Sequence, residues 1–281
     1  MRSLHNVLAP AKLNLFLHIT GRRDDGYHLL QSVFMLIDWC DTLHFDLRDD
    51  GVIEREDLTI ALPADDLVMR AAQSLKRASG THLGAHMAIE KHIPAQAGMG
   101  GGSSDAATTL LALNRLWGLN WPLSKLMPLG LALGADVPFF LGGHNAWIEG
   151  IGEKITPVDL PAARFAVIKP NAGLETAKIF RSPELQRATE TATMPVFAVN
   201  HYGFGRNDLQ PVAQALCPEI TEALQWLGSL GLSPRMTGSG SAVFAKLPDG
   251  VLIDSAPHNW QMRTCSNMAV HPQAGWAASE S

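Results

Sequence analysis

The 281-residue sequence predicts an α+β protein in two parts, and three observations carry that prediction. Segments in which polar and apolar residues alternate, as half-buried strands require, fill much of the first fifty positions. Segments with apolar residues at helical spacing, each stopped by a glycine, follow between Asp66 and Gly134. A proline-bearing stretch, Pro157 to Pro161, then breaks the pattern and places a domain seam near Val158, dividing the chain into residues 1–157 and 158–281.

Val7 to Thr20 is the first strand, and from Lys12 onward its alternation puts Lys12, Asn14, Phe16 and His18 on one face. A Lys and an Asn two apart on a strand ordinarily lie on a solvated face, and only proximity to a ligand loop would reverse that reading. Gly21 to His28 is a turn of charges and glycines. Tyr27 and His28 at its end are either surface residues or a platform for a planar ring. Leu29 to Leu36 and Asp41 to Leu47 are expected as two further strands of a sheet, Asp66 to Ser79 as a helix ending at Gly80, and Met87 to Ile93 as a strand.

That strand runs into Pro94-Ala-Gln-Ala-Gly-Met-Gly-Gly-Gly-Ser-Ser-Asp105, which the rest of the site is organised around. Gly98, Gly100, Gly101 and Gly102 lack Cβ atoms, so they can take positive φ and let a ligand approach the main chain. Ser103, Ser104 and Asp105 fit the cap and first turn of the following helix, where free N–H groups and the helix dipole favour a phosphate. A mere strand-to-helix turn would need no hydroxyls there. A P-loop is excluded because Gly102 is followed by Ser103 rather than Lys. A dinucleotide fingerprint fails too, since its third glycine would fall at Ser103 and its acidic residue near Asn120.

Asp105 to Trp117 and Leu123 to Leu133 are expected as helices closed by Gly118 and Gly134. Asp136 then stands alone among small and apolar residues, either as a helix cap before Pro138 or as a functional group. Ala146 to Ile155 and Phe165 to Ile168 are expected as strands, Thr176 to Phe180 and Ile220 to Leu230 as helical, and Gln186 to Thr193 as irregular. Asn207-Asp-Leu-Gln-Pro opens another helix, and Arg235 to Ala245 joins a second glycine loop to a strand. The small, polar stretch Pro272 to Ser281 is expected to fray.

Composition bounds the function. With 46% hydrophobic and 17% charged residues the chain can bury an ample core, and its net charge of −5 argues against nucleic-acid scaffolding. Cys40, Cys217 and Cys265 are odd in number and follow no metal or CxxC spacing, so reduced thiols in a cytoplasmic protein are expected. No apolar run reaches membrane-spanning length.

Three separated words, Pro10-Ala-Lys-Leu-Asn14, Pro94 to Ala107 and Thr237-Gly-Ser-Gly-Ser-Ala242, resemble in order and spacing the galactose, homoserine, mevalonate and phosphomevalonate (GHMP) kinase superfamily. Gly26-Tyr-His-Leu-Leu-Gln-Ser32, Gly134-Ala-Asp-Val-Pro-Phe-Phe140 and Asn207-Asp-Leu209 resemble its branch acting on a CDP-linked sugar alcohol. The resemblance implies a two-domain α+β fold, with a ribosomal protein S5 domain 2-like ATP-binding domain, a ferredoxin-like C-terminal domain and an active site between them. It implies ATP as co-substrate, Mg²⁺ held mainly by the ATP phosphates with Ser104 or water, and transfer to the 2-hydroxyl of a CDP-linked methylerythritol on the non-mevalonate route to isoprenoids. By motif, Asp136 is the base and Lys12 the cation that steadies developing charge. Pro94, Gly98, Gly100, Gly101, Gly102, Ser103 and Ser104 hold ATP. Asn14, Tyr27, His28, Thr176, Phe180, Gly238 and Ser239 meet the acceptor, with Tyr27 and His28 recognising cytosine and Phe180 as the second slice of an aromatic sandwich. The expected partners are these small molecules, with neither nucleic acid nor membrane, in a monomer or weak homodimer. Met99 replaces the usual Leu, a nearly isosteric change, and Gln96-Ala97 replaces a glycine-richer approach. A homoserine- or mevalonate-type kinase lacks a nucleobase to stack, and a non-catalytic nucleotide-binding regulator would have no need of both Lys12 and Asp136.

Overall fold

The apolar run Val33-Phe-Met-Leu-Ile37 shows how the molecule is layered. Phe34 and Leu36 enter one hydrophobic cluster while Val33, Met35 and Ile37 enter another, so this strand is covered on both faces and has no polar side to alternate with. The computed structural model describes residues 2–257 and 260–280. Its first sheet contains β1 (Ser3–Arg22), β2 (His28–Arg48), β3 (Ile53–Asp57), β4 (Gly84–Glu90), β5 (Ala146–Gly150) and β6 (Lys154–Pro157). The strand β2 is its spine: β1 pairs along one edge, while β4 and β5 share the other end to end. The expected break between Leu36 and Asp41 is absent, because pairing with β1 carries the strand through it.

The helices α1 (Leu67–Ser79), α2 (Gly101–Leu116), α3 (Leu123–Leu133) and α4 (Val137–Gly142) cover one face of this sheet. The first follows its sequence signals closely: the Asp66 carboxylate accepts from the Met69 N–H at 3.0 Å, and Gly80 ends the helix at φ 68°. The other face packs on a second, antiparallel sheet of β7 (Arg164–Lys169), β8 (Arg235–Met236), β9 (Val243–Leu247) and β10 (Gln261–Ser266), ordered β10-β7-β9-β8. In β7, Phe165 and Val167 point into the cluster between the sheets, and Ala166 and Ile168 into a further cluster under α7 (Gln210–Leu216) and α8 (Pro218–Ser229). Two short helices, α5 (Thr176–Arg181) and α6 (Met194–Val199), complete this half.

Three elements, β3, β10 and α6, have no counterpart in the sequence expectations. In β10 the alternation is masked because Gln261, Arg263 and Ser266 stay polar or exposed on an edge strand. The expectation of a frayed C-terminal stretch is corrected. His271 and Gln273 are buried, Trp276 packs on the α1–α4 core under the Arg115 guanidinium, and Glu280 accepts from the Ser124 N–H and hydroxyl. All three cysteines are unpaired, and burial pushes the Cys40 and Cys265 thiols up to about 11 and about 12.

Candidate functional site

The three words that the sequence keeps far apart meet at one cavity of about 1290 Å³. The strand β1 delivers Lys12 and Asn14, and the Lys12 N–H donates to the Met99 carbonyl at 2.9 Å, fastening the strand to the glycine loop. Neither side chain is solvated, with Lys12 4% and Asn14 1% exposed. The expected single face divides at the register shift between Asn14 and Leu17, beyond which Phe16 and His18 pack into the interior against Phe204.

Asp136 precedes α4 but caps none of its N–H groups, which leaves the carboxylate free to face Lys12. The Lys12 Nζ lies 3.6 Å from Asp136 Oδ2, an ion pair too long for a hydrogen bond, and donates to Asn14 Oδ1 at 2.5 Å. The Asn14 amide has one possible orientation. The Ser32 hydroxyl donates to the Phe16 carbonyl, so its oxygen accepts from Asn14 Nδ2 at 3.0 Å, which turns Asn14 Oδ1 toward Lys12. Burial pushes the Lys12 ammonium below its ordinary range, and the Asp136 carboxylate works against that shift.

The glycines of the central loop divide their work. Gly98 has φ 74°, and a Cβ there would lie 2.3 Å from the Thr237 carbonyl, while one on Gly238 would lie 2.8 Å from the Gly98 carbonyl. These two glycines let the central and C-terminal loops run backbone against backbone, joined by Ser241 N–H to Gln96 O and Ala242 N–H to Ala97 O. Gly100, also left-handed, is the N-cap of α2 in place of the expected serines. Gly101, Gly102 and Ser103 then present first-turn N–H groups at the cavity wall, a seat for phosphate oxygens. Ser104 is not brought there: it is fully buried, its N–H donates to the Gly100 carbonyl at 2.9 Å, and its hydroxyl faces the interior without a partner among the described residues.

Pro94, Tyr27, His28, Thr176, Phe180, Gly238 and Ser239 all line the same cavity. The Thr176 and Ser239 hydroxyls are hydrogen-bonded at 2.6 Å. His28 and Phe180 stand together, but their ring centroids are 5.1 Å apart and tilted by 35°. A base between two stacked rings needs about 7 Å, twice the optimal carbon–carbon separation, so the rings touch each other and a sandwich requires them to part.

Several contributors have partners or roles that the sequence alone did not expose. Asp41, fully buried, accepts from the His92 and Ile93 N–H groups at the entrance to the glycine loop and from the Lys91 ammonium. Lys91 also donates to Asp105 at 2.5 Å. One cation thus serves two carboxylates. Burial pushes Asp105 well above the carboxylate range against the pull of Lys91, and the Asp41 charge adds to the rise. Asn207 donates to the Met236 and Gly238 carbonyls and so holds the C-terminal loop. Arg187 reaches His28 from the irregular segment after α5.

Models of the GHMP kinases match this chain twice, the N-terminal domain over residues 66–144 and the C-terminal domain over residues 198–260. The chain belongs to the GHMP kinase family, and it is an ATP-dependent small-molecule kinase. More particularly, it is 68% identical over 280 residues to the 4-diphosphocytidyl-2-C-methyl-D-erythritol kinase of Albidiferax ferrireducens, covering 100% of this chain and 98% of that protein. It is 62% identical over 295 residues to the kinase of the same name from Variovorax paradoxus, covering 99% and 100%. A crystal structure of 4-(cytidine 5'-diphospho)-2C-methyl-D-erythritol kinase superposes with a TM-score of 0.75 at 35% identity over 86% of this chain and 90% of that one. Homoserine kinase from Cytophaga hutchinsonii shares the fold, with a TM-score of 0.68 at 16% identity over 96% of each chain.

Proposed function

We propose that this kinase transfers the γ-phosphoryl group of ATP to the 2-hydroxyl of 4-diphosphocytidyl-2-C-methyl-D-erythritol, a step on the non-mevalonate route to isoprenoid precursors. The observation that carries this reading is one cavity holding a phosphate seat, a Lys–Asp pair and an aromatic end. Full-length likeness to kinases of that name supports it. Asp136 accepts the proton of the attacking hydroxyl, and Lys12 stays protonated beside it to balance charge as the phosphoryl group moves. Asn14 aims Lys12. Gly101, Gly102 and Ser103 receive the donor phosphates, while Tyr27, His28 and Phe180 receive the cytosine, with Thr176, Gly238 and Ser239 nearby.

The donor set suits a divalent cation carried in on the triphosphate. No cluster of three or more His, Cys, Asp or Glu residues able to cage a metal exists among the described residues, and Ser104 points away. Mg²⁺ would supply charge neutralisation on the donor phosphates. We put the domain seam near Val158, and the position of that residue in the connection between β6 and β7 supports this reading. No helix among the described residues is long and apolar enough to cross a membrane, and we place the enzyme in the cytoplasm as a monomer or weak homodimer.

The test is a product assay with Mg-ATP and three acceptors: the CDP-linked alcohol, homoserine and mevalonate. Phosphorylation of the first alone is expected. Asp136→Asn should fold, as judged by circular dichroism, and lose about 10²–10⁴-fold in kcat. An undiminished rate would remove Asp136 from its role.

A further inference from the structure

The Arg187 guanidinium makes four hydrogen bonds, and together they bridge the two sides of the aromatic end. Its Nε–H donates to His28 Nε2 at 3.1 Å, and its terminal nitrogens donate to the carbonyls of Leu185, Phe180 and Ser182 at 3.0, 3.3 and 2.6 Å. Phe180 and Ser182 close the C-terminal end of α5, the helix that carries the Phe180 ring. His28 begins β2 on the opposite side. A guanidinium has donors only, so His28 Nε2 must present a lone pair to it, and the ring proton must sit on Nδ1.

We infer that Arg187 is a positioning residue for nucleobase recognition: it holds His28 in the Nδ1–H tautomer and couples it mechanically to Phe180. The inference rests on the cytidine-substrate reading above. Two cations act on the ring, Arg187 from the segment after α5 and Arg22 from the end of β1. Together with partial burial, which is the larger effect, they disfavour a second proton. His28 therefore offers its one N–H as a donor. That suits the acceptor atoms of cytosine, N3 and O2. It suits uracil less well, because uracil N3 itself carries a proton. The same guanidinium makes the ring separation a shared property of His28 and Phe180, since moving either strains the bonds that Arg187 makes to both.

Two measurements separate this inference from the reading beneath it. In ligand-free protein labelled with ¹⁵N-histidine, long-range ¹H–¹⁵N correlation should show His28 protonated at Nδ1 and bare at Nε2. Arg187→Ala should lose that tautomer preference and raise the His28 titration midpoint. Arg187→Lys, which keeps a cation and one donor, should retain the Nδ1–H form and guards against a folding failure of the alanine variant. In turnover assays, Arg187→Ala should raise KM for the CDP-linked alcohol by roughly tenfold, the loss of about one charge-assisted hydrogen bond, while KM for ATP and kcat change by less than about twofold. Protonation at Nε2 in the unmodified protein would overturn the inference. So would an Arg187→Ala variant with unchanged tautomer, or one that raises both KM values equally. Failure to turn over the CDP-linked alcohol at all would overturn the functional reading and leave the NMR result standing.

Discussion

Lys12 is the residue on which most of the site's electrostatics turn. Its ammonium is almost completely removed from water, held by one amide oxygen and one carboxylate, and sits 4.5 Å from the Phe34 ring centroid. Burial lowers its pKa from the ordinary 10.5, with Asp136 opposing. In the proposed mechanism the protonated form is the useful one, so activity should fall as pH rises through a value below 10.5. Lys12→Arg should keep a fraction of the turnover and lose that alkaline limb, because a guanidinium does not deprotonate in this range. A limb unchanged in the arginine variant would assign it to another group. Ser32→Ala provides a finer test: without the hydroxyl the Asn14 amide is free to turn over and present its NH₂ to Lys12. A loss of about tenfold in kcat, with KM for ATP unchanged, is expected from steady-state kinetics. What could be read from the sequence at this scale was whatever lay within one word. Lys12, Asn14, Asp136 and the glycines sit in local motifs, and their chemistry is evident from neighbours in the chain. Ser32, Asp41, Lys91 and Arg187 owe their roles to strand register or to loops that meet across 14 to 159 positions of sequence, as in Asp105 with Lys91 and Arg187 with His28.

Among the elements, α2 combines two demands that conflict. In the proposed function its first turn leaves N–H groups open for phosphate, while its body is buried on nearly every side, from Ser104 through Asn114. Asp105 is caught between them. Its pKa is raised in the folded chain, so its contribution to stability is fully present below the ordinary value of 3.8 and is lost as pH rises through the folded value. Asp105→Asn removes the titrating group while keeping an oxygen for Lys91. The variant should therefore lose stability less steeply as pH rises above 3.8 and gain on the parent toward alkaline pH, measured by urea unfolding. A variant with the parent's pH slope would show that Asp105 is ionised throughout. The predicted helices and most strands were legible because their periodicity is local, whereas β2 reads as two strands until β1 is laid beside it. The edge strand β10 has too little apolar alternation to declare itself.

At the scale of the whole molecule, four layers follow one another: helices α1–α4, the first sheet, the second sheet, and α7 with α8. β1 enters all three hydrophobic clusters, through Val7 and Ala9, through Leu13 and Leu15, and through Leu17 and Ile19. The halves are thereby stitched by a common strand, and unfolding should be a single transition by both tryptophan fluorescence and far-UV circular dichroism. Residues 267–280 add a second stitch, running from the second sheet back over the first half, where the His271 N–H donates to the Gly143 carbonyl at 2.8 Å. Trp276→Ala should lower stability by about 2 kcal/mol, below the cost of a fully buried tryptophan because this one is partly exposed. An effect under about 0.5 kcal/mol would mean that the segment merely rests on the surface.

That second stitch also sets an order of events on the ribosome. The strands and helices that carry Lys12, the glycine loop and Asp136 are all synthesised before residue 143, yet the return segment seated against the far end of α4 follows only after β10 has been made. For the interval of translation in between, the nascent chain has Lys12, the glycine loop and Asp136 and lacks the segment that packs on the α1–α4 core. The half-made kinase would therefore expose the apolar ground beneath Trp276 to chaperones until that segment has been made and has folded back.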